Sequence, residues 1–245
     1  MAEYDNRVRS YGATSDVAID EGLRAYMLRV YNYMLMGLAL TGFTAGFTAS
    51  TPAFSELFFQ QTARGSSMTG LGWIVLLAPL ALVFFLGFRI QRMSFAAAQA
   101  TFWVYAGLMG IGLTPILWIY TGASVAQVFF ITAATFGAMS LWGYTTKRDL
   151  SAFGSFLFMG LIGIIIASLV NMFLQSSMMQ WIISVIGVLI FTGLTAYDTQ
   201  SIKETYVVGD DGTVAGKKAI MGALRLYLDF VNLFLMLLRL MGDRR

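Results

Sequence analysis

Seven apolar stretches, at roughly 27–49, 70–88, 95–116, 122–145, 152–173, 179–201 and 219–241, follow one another along a chain of 245 residues. About 20 apolar residues span the hydrocarbon core of a bilayer as a helix, and a helix satisfies every backbone N–H and C=O within its own segment. The pattern predicts an all-α integral membrane protein, a seven-transmembrane-helix bundle. Only the connections at 50–69 and 202–218 are long, and no internal repeat stands out. The chain divides into an N-terminal tail, 1–24, and a transmembrane domain, 25–245. The tail is polar and mixed in charge and lacks the apolar core of a cleaved signal peptide. The first apolar stretch is therefore expected to stay in the mature protein.

Composition narrows the chemistry. With 58% apolar and 12% charged residues, the natural solvent is lipid rather than water. Histidine and cysteine are both absent, which removes imidazole bases, histidine-held zinc, thiol nucleophiles and disulfides together. Ion or proton chemistry falls to Asp, Glu, Lys, Arg and Tyr. No enzyme activity and no cofactor are expected, and the lipid bilayer is the first partner. The net charge of +3 is scattered between apolar runs and gives no nucleic-acid footprint.

Lys and Arg mark the cytoplasmic side. Arg7, Arg9 and Arg24 precede the first stretch; Arg89 and Arg92 follow the second; Lys147 and Arg148 follow the fourth; Lys203, Lys217 and Lys218 follow the sixth. The opposite loops hold Arg64 alone. The N-terminus is thus expected in the cytoplasm. Seven crossings then put the C-terminus outside, although it reads RLMGDRR. Either the basic tail is tolerated there or the last segment re-enters and returns. Gly42 and Gly46 form a GxxxG, and Gly160 and Gly163 lie three apart; both pairs are read as helix-packing positions.

Two acids stand where hydrocarbon is expected. Asp198 falls within about one turn of the cytoplasmic end of the sixth stretch. Asp229 lies eleven residues beyond Lys218, roughly 16 Å deep at about 1.5 Å per residue. A charge near mid-bilayer costs at least about 2.5–3.5 kcal/mol, so such a residue persists when it has a partner or faces a cavity. The sixth and seventh stretches are consecutive, so their cytoplasmic halves should adjoin. If the carboxyls meet, they share a proton and titrate as a unit. Ionised, they offer oxygen ligands of the kind Ca²⁺ prefers. Arg225, four residues before Asp229, permits an intrahelical ion pair, and Asn232 permits a bridge to a neighbouring helix. Arg89 and Arg92 are alternative arginine partners.

AYDTQ (196–200) with LYLDFVNLFLMLLRLMG (226–242) resembles the paired signature of the Bax inhibitor-1 family. FGAMSLWGYTTKRDLSAFGSFLFMGLIGIIIASLVN (136–171) is similar to its bacterial branch, and AYMLRVYNYMLMGLALTGFTA (25–45) agrees. The resemblance runs from about residue 22 to the end. It implies a seven-helix fold with the last helix central, in a bacterial inner membrane. It also implies a pH-sensitive calcium leak, gated by an aspartate pair with an arginine latch from the second helix. By motif, the aspartates are Asp198 and Asp229, which then lie on a Ca²⁺ path. The latch falls in FLGFRIQRM, where Arg89 and Arg92 both fit and Arg92 is favoured. Three features depart from the pattern: the long VVGDDGTVAGKK loop, Arg225 one turn from Asp229, and a second stretch without an acid.

The alternative function is a non-transporting regulatory protein that binds other membrane proteins, such as a quality-control protease, through its polar tail. An intramembrane aspartyl protease is a third reading, weakened because LYLDF is not a GxGD motif. The sequence sets no oligomeric state and allows a monomer.

Overall fold

The computed structural model describes the backbone of residues 2–62 and 65–245, and the side chains of 21–60 and 67–245. The expected tail, 1–24, falls mostly outside the described side chains. The chain is almost wholly helical: α1 (Ala2–Ser50), a short α2 (Pro52–Ser55), α3 (Gly70–Arg89), α4 (Phe95–Ile119), α5 (Gly122–Thr145), α6 (Ser151–Leu174), α7 (Ser177–Glu204) and α8 (Gly212–Met241). A single 3₁₀ turn, Ile90–Arg92, follows α3.

Side chains that satisfy the first free N–H groups set many of the helix starts. Thr69, Ser94, Thr121, Ser176 and Asp211 each accept from the backbone N–H three residues on, opening α3, α4, α5, α7 and α8. Gln175, at φ 50°, ends α6 in the left-handed conformation. Capping also explains why α8 starts seven residues before its apolar run. Asp211 fixes the start, and the first two turns carry Lys217 and Lys218, which hydropathy does not register.

Six helices, α3 to α8, are long and apolar enough to cross a membrane among the described residues. Their outer faces expose Phe84, Phe88, Phe156, Phe173, Trp181 and Leu189. In water such patches would drive aggregation; in a bilayer they are the solvated surface. The chain is an all-α, multi-pass membrane protein. The expected first span, 27–49, is helical within α1 but does not reach the hydropathy of the other six. Its threonines lower the average, yet Thr41, Thr44 and Thr48 donate to carbonyls of Gly37, Leu40 and Thr44 four residues back in their own helix.

Helix α8 packs against α1, α4, α5 and α7, whereas α6 packs on α7 and α3 on α4. Burial follows this pattern: 67% of the apolar stretch of α8 is buried, against 11% in α6. Two glycines permit the closest crossings. A Cβ on Gly110 of α4 would lie 2.3 Å from the Thr41 carbonyl of α1, and one on Gly143 of α5 would lie 2.2 Å from the Ala196 carbonyl of α7. The sequence reading placed this role elsewhere. Gly42, Gly46 and Gly163 have no heavy atom within 4 Å of a would-be Cβ, and Gly160 alone meets a neighbour, Ile190. Spacing of glycines shows where a backbone can be approached, not which face meets another helix.

The long connection at 50–69 holds α2 and an antiparallel hairpin, β1 (Phe59–Thr62) with β2 (Gly65–Met68), pairing Phe59 with Met68. The C-terminal tail is anchored as well. Thr121 N donates to Asp243 O at 3.0 Å, Arg245 N to Ile119 O at 2.9 Å, and Arg244 lies 5.9 Å from the centre of the Tyr120 ring. Helix α8 runs unbroken, so no re-entrant turn forms, and the basic tail docks on the α4–α5 turn.

Candidate functional site

The segment AYDTQ lies inside α7, where each residue turns about 100° from the last and meets a different neighbour. Ala196 gives its backbone to the Gly143 contact, and the Tyr197 ring covers Gly154 of α6. Thr199 and Ser140 of α5 hydrogen-bond through their hydroxyls at 2.9 Å, and Ser140 meets the Tyr31 hydroxyl of α1 at 2.6 Å. Gln200 is buried and bridges the α5–α6 turn, donating from Nε2 to Arg148 O at 2.8 Å and accepting from Leu150 N at 2.9 Å. Four of the five residues thus fix the position and rotation of α7, and the fifth, Asp198, turns toward α8.

Gln200→Ala removes both bonds and leaves the Leu150 N–H unpaired. An unsatisfied buried donor costs about 1–3 kcal/mol, so the variant is expected to melt several degrees below wild type in detergent. A melting temperature equal to wild type would show that the bridge contributes nothing.

In α8, LYLDF spreads its side chains in the same way. Tyr227 meets Thr41 of α1 through their hydroxyls at 2.7 Å. Phe230 packs on Phe136 and Phe129 of α5 with ring centres 5.5 Å apart in both pairs. Between them Asp229 points inward. It is 4% exposed, and its Oδ2 has no hydrogen-bond partner among the described residues.

The carboxyls of Asp198 and Asp229 lie within hydrogen-bonding reach of each other. Two carboxyl groups hold such a contact when a proton lies between them, because an ionised carboxylate only accepts. Among the described residues, Arg225 is the basic residue whose charge reaches both. Yet Arg225 forms no direct ion pair with them; among the described residues the only ion pair joins Lys218 to Asp210. Although Arg225 and Asp229 are one turn apart, Arg225 is exposed on α8 while Asp229 is turned into the bundle. Asn232 makes no bridge to another helix among the described residues: it donates to Leu228 O of its own helix at 2.8 Å.

Of the residues singled out by sequence, the structure gathers Asp198, Asp229 and Arg225. Arg89, ending α3, and Arg92, in the 3₁₀ turn, are exposed and pair with neither aspartate. No third acid joins the two to make a cluster able to hold a metal, among the described residues. Sequence reasoning did not single out Gln200, Thr199, Ser140 and Tyr31. The first two stand inside AYDTQ itself, whereas Ser140 and Tyr31 carry no local signal, being brought in across 59 and 109 residues.

A bundle of lipid-facing helices that buries a carboxyl pair between its last two members defines a multi-pass membrane protein with a buried acid pair. The chain belongs to the Bax inhibitor-1 family: the family model described as inhibitor of apoptosis-promoting Bax1 matches residues 23–245. It is 49% identical over 226 residues to the inner membrane protein YbhL of Escherichia coli K12, covering 91% of this chain and 94% of that one. It is 53% identical over 228 residues to the uncharacterized protein RP147 of Rickettsia prowazekii, covering 92% of each chain. The uncharacterized membrane protein SpyM3_0260 of Streptococcus pyogenes serotype M3 is 38% identical over 223 residues, covering 91% and 94%.

Proposed function

We propose that the protein is a passive Ca²⁺ leak of a bacterial inner membrane, gated by proton exchange at the Asp198–Asp229 pair. The observation that carries this reading is the deep carboxyl of Asp229. It is buried between α7 and α8, has a second carboxyl as its neighbour, and meets no donor at Oδ2 among the described residues. A purely structural acid is normally satisfied, since an unpaired buried polar group is destabilising. When the shared proton leaves, like charges repel across the α7–α8 contact and the ionised oxygens become cation ligands. Two carboxylates fall short of the six to eight oxygens of a resident Ca²⁺ site, which suits an ion in passage.

In this reading the apolar half of α1 is the seventh span and α8 is the centre of the bundle. The N-terminus is cytoplasmic, which puts the docked C-terminal tail on the outer face. Arg225 takes the place expected of Arg89 or Arg92 as the arginine that biases the pair. Reconstituted protein should pass Ca²⁺ faster than empty liposomes, with a rate that changes between about pH 5 and pH 8. Flux equal to that of empty liposomes across this range would overturn the proposal.

A further inference from the structure

At the end of the bundle where α3 gives way to α4 and α7 to α8, a separate cavity of about 310 Å³ opens. Tyr26, Gln91, Thr205, Lys217, Lys218 and Arg225 line it, among others. Three cations face this space, and no acid lines it among the described residues. Lys218 is neutralised by Asp210 and also donates to Thr205 O. Among the described residues Lys217 has only carbonyl partners, Gln91 O at 3.2 Å and Met93 O at 3.4 Å, and no acid pairs with it. Arg225 has no ion-pair partner among the described residues. The wall also holds an unpartnered polar group. Tyr26 is 5% exposed, and its buried hydroxyl has no hydrogen-bond partner among the described residues.

We infer that this cavity is an anion site for a phosphate-bearing ligand. Lys217, Met221 and Arg225 fall on one stripe of α8 at intervals of four residues. Lys217 and Arg225 are therefore roughly 12 Å apart along the helix axis. That separation suits a ligand with more than one anionic group better than a single small ion. The guanidinium matches a phosphate bidentately, while lysine acts as a point charge. The volume is at the lower end of small-molecule sites, about 300–1,000 Å³, and accommodates a diphosphate group. Cations are excluded by the same lining. Because the Arg225 charge also reaches Asp198 and Asp229, a bound anion shares that arginine with the carboxyl pair. Binding itself does not depend on whether the protein conducts Ca²⁺.

The test uses the full chain in phosphatidylcholine nanodiscs at low salt, titrated calorimetrically with pyrophosphate. Wild type is expected to bind, with affinity falling as salt rises. Arg225→Gln and Lys217→Gln should each weaken binding by about tenfold or more, the effect of losing a charge-assisted hydrogen bond. Lys147→Gln, exposed in the α5–α6 turn, should leave it unchanged. A second arm adds phosphatidic acid to the nanodisc. Competition with pyrophosphate identifies a lipid headgroup as the phosphate source, and its absence identifies a soluble one. Failure of both pyrophosphate and phosphatidic acid to bind would overturn the site. So would binding that neither Arg225→Gln nor Lys217→Gln alters while both variants melt like wild type.

Discussion

Asp229→Asn is expected to flatten the pH dependence of Ca²⁺ flux, so that the rates at the two ends of the range about pH 5 to pH 8 converge. Asparagine keeps the shape of the side chain but has no proton to exchange. Its amide can donate to Asp198 and hold the α7–α8 contact at every pH. The groups that act on Asp229 are Asp198 from α7 and Arg225 from its own helix; no charge from α1, α4 or α5 acts on it among the described residues. The substitution therefore removes half of a two-carboxyl system without disturbing a wider network. Folding should be little affected, since the amide has nearly the shape of the carboxyl and can still donate to Asp198. Asp198→Asn should act in the same direction and less completely, because Asp198 is less buried than Asp229. A folded Asp229→Asn protein that kept the wild-type pH dependence would exclude the carboxyl pair as the gate.

The apolar runs and the two aspartates were legible because both follow from local rules: hydropathy counts residues, and an acid within an apolar run is conspicuous by itself. Their meeting was also legible, since consecutive helices joined by one loop must adjoin. Arg225 is different. Its spacing from Asp229 suggested an ion pair, yet the helix faces diverge enough that one side chain enters the bundle and the other leaves it. Arg89 and Arg92, expected as the latch, lie exposed at the end of a neighbouring helix whose rotation no local pattern records. The same holds for Ser140 and Tyr31, which reach Thr199 from two other helices. What the sequence withheld was rotation about helix axes, and rotation decides which polar groups face one another.

The largest expected effect on stability comes from a single methyl group at Gly143. In Gly143→Ala the new Cβ would lie 2.2 Å from the Ala196 carbonyl oxygen and 2.9 Å from the Ala196 Cα. Both are backbone atoms, so no rotamer change relieves the overlap and α5 and α7 must separate. Overpacking of this kind costs about 1–3 kcal/mol, occasionally more. In lipid the loss is felt directly, because helix association rests on close packing rather than on burial from water. At about 2–4 °C per kcal/mol for a chain of this size, melting should fall by roughly 6–12 °C at the upper end of that cost. The shift also pulls Thr199 from Ser140 and carries Asp198 away from Asp229, so altered ion flux should accompany lost stability. Gly42→Ala is the matched control, since its Cβ would meet nothing within 4 Å. Equal melting temperatures for Gly143→Ala and Gly42→Ala would show that the α5–α7 crossing does not hold AYDTQ in place.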